Sequence, residues 1–171
     1  MMMFRMKTLV SFVCVGALSL CVSATGRADT PAQNRARREI AATYAKMARA
    51  MMRKDLPTLS AIEAADYQAF TKAGLSRSRE QDLETTRRLF LLVKQFPKMQ
   101  SKILSLTWRG PDAVVMAQTT PVSIMNQAGK TGRMEGVVIT RDYWSRSAGG
   151  WQIRQSVERE GKVWLNGQRV Q

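Results

Sequence analysis

The hydrophobic period of this chain changes once, near Met99, and that change limits the folds open to it. Before Met99 the apolar residues recur at helical spacing. Ile40, Tyr44, Met47 and Met51 form one stripe, while Arg35, Arg38, Glu39, Lys46 and Arg49 face away from it. After Met99 the period is two: Lys102, Leu104, Leu106 and Trp108 alternate with Ser101, Ile103, Ser105 and Thr107. Helices followed by a strand meander predict an α+β domain, with N-terminal helices packed on one face of a curved antiparallel sheet.

Local signals give the element ends. Thr30-Pro31 reads as a helix start, a hydroxyl N-cap followed by proline at the first helical position, and the helix runs to about Met52. Asp55-Leu56-Pro57 opens a short second helix carrying Leu59 and Ile62, followed by a brief extended piece from Tyr67 to Phe70. Ser78 and Gln81 form a capping-box pair for a third helix reaching about Phe96, with Leu83, Phe90 and Leu91 on its buried side. Strands follow from Met99, from Ala113 to Thr120, from about Arg133 to Arg146 and from Trp151 to Glu160. A looser stretch lies between Pro121 and Gly132, and Asn166-Gly167 marks a last small hairpin.

The first 28 residues read differently from the rest. Arg5 and Lys7 precede an apolar run from Leu9 to Val22, and small residues follow, so cleavage is expected after Ala24 or Ala28. At 14 residues the run is short for a membrane span, which needs about 20. A periplasmic or secreted destination follows. Cys21 has the position of a lipidated cysteine, but Leu20 stands where that pattern wants a small residue, which argues against a lipoprotein. The true start is open among Met1, Met2, Met3 and Met6. The remaining residues, 29–171, form a single domain.

Without that leader the inventory becomes restrictive. The chain has no histidine, and its two cysteines, Cys14 and Cys21, both lie in the leader. Disulfide frameworks, Cys/His zinc sites, cysteine proteases and Ser-His-Asp hydrolases are therefore excluded for the mature chain, and no metal site or cofactor is expected. The net charge of +14 falls to 14 − 3 = +11 when Arg5, Lys7 and Arg27 are removed. The basic residues concentrate on the first and third helices, where an anionic envelope surface is a possible partner. Nucleic acid is not expected, because aromatic side chains are not interleaved with the charge.

The run Gly136-Val137-Val138-Ile139-Thr140-Arg141-Asp142-Tyr143-Trp144-Ser145-Arg146, followed by Gly149-Gly150-Trp151-Gln152-Ile153, resembles the terminal hairpin of the nuclear transport factor 2-like superfamily. It is most similar to the SnoaL-like branch, here as an exported bacterial member. Lys54-Asp55 at the end of the first helix, Leu59 and Asp66 extend the likeness. The resemblance implies a cone-shaped α+β fold. It leaves function open, because this superfold hosts isomerases, dehydratases, epoxide hydrolases, transport factors and association domains. Members that dehydrate through a His-Asp pair find no histidine here. The resemblance also implies a homodimer through the outer sheet face, where Val137 and Ile139 lie between Tyr143 and a charged rim that includes Arg141.

Pairing the hairpin about Ser147–Gly150 sets Trp144 opposite Ile153, Asp142 opposite Gln155 and Thr140 opposite Val157. Asp142, Thr140 and Gln155 then form a polar group on the apolar wall under the helices, the composition of a ligand pocket. Tyr44, Tyr67, Trp108 and Trp144 are the aromatic candidates to line it. An apolar small molecule is the expected ligand, and the primary reading is a binding or association domain without catalysis. A small lyase or isomerase using Asp142, with Asp66 as a second candidate, is the alternative, because burial of a carboxyl raises its basicity. The structural counter-reading pairs Asp142 with Arg146 or an arginine of a helix. An envelope-assembly component acting through its basic helix is a further alternative.

Overall fold

The computed structural model describes residues 29–127 and 130–170. The expected leader, its cleavage sites and Cys21 lie outside the described residues. Helix α1 spans Pro31–Arg53, and Thr30 and Gln33 exchange side-chain and backbone hydrogen bonds in a capping box that satisfies its first free amides. It stops at Lys54, whose φ of 57° is left-handed, and Asp55 caps α2 (Leu56–Ile62) by accepting from the Thr58 amide. Strand β1 (Glu63–Phe70) and the short β2 (Ser76–Ser78) follow, and Ser78 with Gln81 caps α3 (Arg79–Leu92).

The rest of the chain is one long meander: β3 (Val93–Arg109), β4 (Asp112–Gln127), β5 (Lys130–Ser147), β6 (Gly150–Leu165) and β7 (Gln168–Arg169). The sheet order is β2-β1-β6-β5-β4-β3, with β7 on β6 beyond the Asn166-Gly167 turn. All pairings are antiparallel except β1 with β6, which is parallel. The long crossover from β1 through β2, α3 and the meander makes that possible. The α+β architecture expected from the sequence is thus present, as helices on a curved mixed sheet.

Two sequence expectations are corrected. Helix α3 ends at Leu92 rather than near Phe96, because Val93 and Gln95 pair with Met125 and Ile124 of β4. The looser stretch after Pro121 is in fact strand as far as Gln127, and it supplies those partners. Pro97 lies within β3, which tolerates it as an edge strand with one side unpaired. The buried side expected of α3 is also absent: no residue of the helix is buried, and Leu91 is 82% exposed.

The core lies between α1 and the concave face of the sheet. Ala36, Ile40 and Tyr44 of α1 pack on Leu106, Ala113, Val115, Ala117, Trp144 and Ile153. Helix α1 approaches the sheet most closely over β3, and Trp144 fills the centre with 1% of its surface exposed.

Candidate functional site

Asp142 sits on β5 in the middle of this apolar layer, 3% exposed. Three hydroxyls converge on it. Tyr44 of α1 donates to Oδ2 at 2.5 Å, Thr140 donates to the same oxygen at 3.0 Å, and Ser156 of β6 donates to Oδ1 at 2.7 Å. Trp144 completes the arrangement by donating its indole N–H to the Tyr44 hydroxyl at 3.2 Å, with the two rings edge to face. Tyr67 of β1 lines the same cavity as Ser156. Helix α1 and strands β5 and β6 are therefore joined at one carboxyl group.

Burial pushes the Asp142 carboxyl above the usual carboxylate range, and the three donors only partly offset this. Burial likewise raises Tyr44 and Tyr67 above the ordinary phenol value, reinforced at Tyr44 by the Asp142 charge, so both remain protonated donors. An ionised carboxylate accepts hydrogen bonds at about four lone-pair sites. Oδ2 takes two donors and Oδ1 takes one.

This group forms the polar floor of a cavity of about 220 Å³. Met47, Ala48 and Met51 of α1 roof it, and Tyr67, Met99, Ser101, Thr119 and Ile153 form its walls. The exposed lining is mostly apolar. It is smaller than the roughly 300–1,000 Å³ of sites for drug-sized ligands and matches a single ring or a short branched chain. Larger grooves occur at the surface. One of about 390 Å³ is lined by Asp66, Arg109, Asp112, Tyr143, Arg154 and Gln155, and it lacks a buried polar group aimed inward.

The structure brings together Tyr44, Tyr67, Thr140 and Asp142 and separates the other candidates from them. Gln155 is on the opposite sheet face. Trp144 pairs with Ile153 as expected, but the next pair is Tyr143 with Gln155, so Arg154 is an extra residue on β6, a β-bulge. Asp142 consequently faces Ser156, and Arg141 rather than Thr140 faces Val157. Asp66 is also on the outer side, where the Arg154 guanidinium bonds it and holds its carboxyl below the usual range. Trp108 stays out of the cavity and donates to Asp29 at 3.2 Å, while Trp144 stands behind Tyr44 rather than in the lining. Arg146 pairs with Glu39 at 3.2 Å and not with Asp142. The residues the sequence reading missed at the site are Ser156, Ser101, Thr119 and Met99. The first was hidden by the bulge, and the others carried no signal beyond strand alternation.

No family model and no curated protein matches the chain. Solved structures do. A nuclear transport factor 2-like family protein from Streptomyces avermitilis superposes with a TM-score of 0.62 at 15% identity, covering 73% of this chain and 95% of that one. A conserved protein from Planctomyces limnophilus gives 0.62 at 16% identity, covering 72% and 94%. A hexachlorocyclohexane dehydrochlorinase from Novosphingobium barchaimii gives 0.59 at 12% identity, covering 74% and 86%. At these identities the likeness concerns the backbone and not the chemistry. The long first helix, the curved sheet closed by the β5–β6 hairpin and the cavity between them give this chain the fold of the nuclear transport factor 2-like superfamily.

Proposed function

We propose that the protein binds a small, mostly apolar molecule carrying one hydrogen-bond donor, in the cavity beneath α1. The observation that carries this reading is the buried Asp142 carboxyl, whose Oδ1 takes a single donor, in the lining of a mostly apolar chamber. Apolar walls supply affinity, and a single buried acceptor supplies selection, since a ligand without a donor would leave that acceptor unpaired. Binding without turnover is the primary reading, because the carboxyl is already held by three hydroxyls and the chain lacks histidine.

Phenol and toluene test this directly. They are nearly equal in size, and only phenol has a donor. Phenol is expected to raise the melting temperature more than toluene does, and Asp142→Asn is expected to narrow that difference. Equal, negligible effects of both compounds would remove the pocket reading.

A second reading has one observation in its favour: burial raises the basicity of Asp142, as proton abstraction from a carbon acid requires. That one structural neighbour is a dehydrochlorinase is compatible with a lyase of this kind. The two readings separate at Asp142→Asn, which abolishes turnover in an enzyme and leaves a binding protein folded and still able to take up toluene.

A further inference from the structure

We propose that the protein docks on anionic lipid bilayers through the joined C-terminal ends of α1 and α3. The starting point is a pair of leucines that the fold leaves outside: Leu91 is 82% exposed and Leu92 55% exposed, at the end of α3. Their neighbours are fixed, so the pair cannot turn inward. Phe90 packs edge to face on Phe96, and Val93 is buried at the start of β3. Lys54 at the end of α1 donates to the carbonyls of Phe90 (2.8 Å) and Val93 (2.5 Å), which binds the two helix ends together.

The flanking charge is basic. Arg87 and Arg88 lie one turn before Leu91 and Leu92 and share a single acidic partner, Glu84, while Lys94 is exposed two residues beyond. Two exposed leucines flanked by arginine and lysine lack the features of a protein interface core, which is built on aromatic anchors seated in pockets. They fit a lipid headgroup layer, where leucines enter the acyl boundary and guanidinium groups meet phosphates. The surplus of 27 basic over 13 acidic residues in the sequence adds long-range attraction to such a surface.

The experiment is flotation of the chain from Asp29, which contains every described element, with phosphatidylcholine vesicles prepared with and without phosphatidylglycerol. Circular dichroism first establishes that each variant is folded. Binding is expected only to the vesicles containing phosphatidylglycerol and is expected to weaken as salt is added. Leu91→Ser with Leu92→Ser, and separately Arg87→Gln with Arg88→Gln, are each expected to lower the partition by about tenfold. Both pairs are on the surface, so folding survives. Binding to neither vesicle, or equal partition of the wild type and both variants, overturns the proposal. So does a leucine variant that changes only the light-scattering mass, since the tip would then cover a second copy of the chain.

Discussion

The hydroxyl of Tyr44 donates to Oδ2 of Asp142 at 2.5 Å, joining the first helix to a strand 98 residues away in sequence. The same hydroxyl accepts the Trp144 indole N–H, so it serves as both donor and acceptor at the centre of the core. Tyr44→Phe therefore leaves an indole donor and a carboxylate site unpaired in a nearly dry layer. A loss of about 1–3 kcal/mol is expected in urea unfolding. If Tyr44→Phe unfolds at the same urea concentration as the wild type, the hydroxyl carries no part of the fold.

The bulge at Arg154 gives neighbouring residues opposite roles. Ser156→Ala removes a donor to Asp142 and is expected to cost about 1 kcal/mol and to alter phenol binding. Gln155→Ala acts on the other face, is expected to change stability by less than about 0.5 kcal/mol and leaves the cavity intact. The reverse ranking would mean that the β5–β6 register differs from the one described.

Asp66 provides a matched control for the site. Its carboxylate is exposed and engaged with Arg154 on the outer face. Asp66→Asn is accordingly expected to leave phenol binding and the melting temperature unchanged. A loss of phenol binding in this variant would place the ligand on the outer face instead.

Glu63 introduces a pH dependence. At the head of β1, one of its oxygens has no partner, and burial followed by the nearby Asp82 charge pushes its carboxyl up to about 7. A folded-state value above the unfolded one means that the fold binds this proton more tightly than the open chain does. The associated stability is complete below about pH 4.5, the unfolded value, and is lost as pH rises through about 7. The side chain is partly solvated, so screening reduces the effect to about 1 kcal/mol. Glu63→Gln should be the more stable protein at pH 8 by about that amount, with the advantage fading on acidification. Parallel melts of the two proteins across this range check it.

How much of this could be read from the sequence depended on whether a feature is periodic. The switch from helical to alternating spacing locates α1 and the meander, and Thr30-Pro31 and the Ser78–Gln81 capping box mark two helix starts, because each is a local pattern of side chains and backbone. The same periodicity puts Asp142 and Thr140 on the wall under the helix and Tyr44 on the helix's apolar stripe, whereas Tyr67 is a candidate only by its aromatic character. The bulge at Arg154 was not legible, since one additional residue in a strand changes no composition and leaves the turn unaltered. It moved Gln155 out and Ser156 in. The end of α3 was misread because Leu91 and Phe90 look alike as apolar helix residues. The pairing of Val93 with Met125, a contact across the sheet, ends the helix there, and Phe90 packs on Phe96 while Leu91 is left in water.

Strand β6 contains a second irregularity, between the pairs Thr140–Glu158 and Ile139–Glu160, where Arg159 is the extra residue. Between the two insertions, residues 155–158 form a short cassette whose inside-outside phase is independent of the strand on either side. Continuing the register from Ile153 without the bulge would set Arg154 opposite Tyr143 and Gln155, instead of the Ser156 hydroxyl, opposite Asp142, while Trp151 and Ile153 stay seated. The polar chemistry of the chamber is thus set by where the extra residue sits in β6, separately from the tryptophan-bearing hairpin that closes the cone.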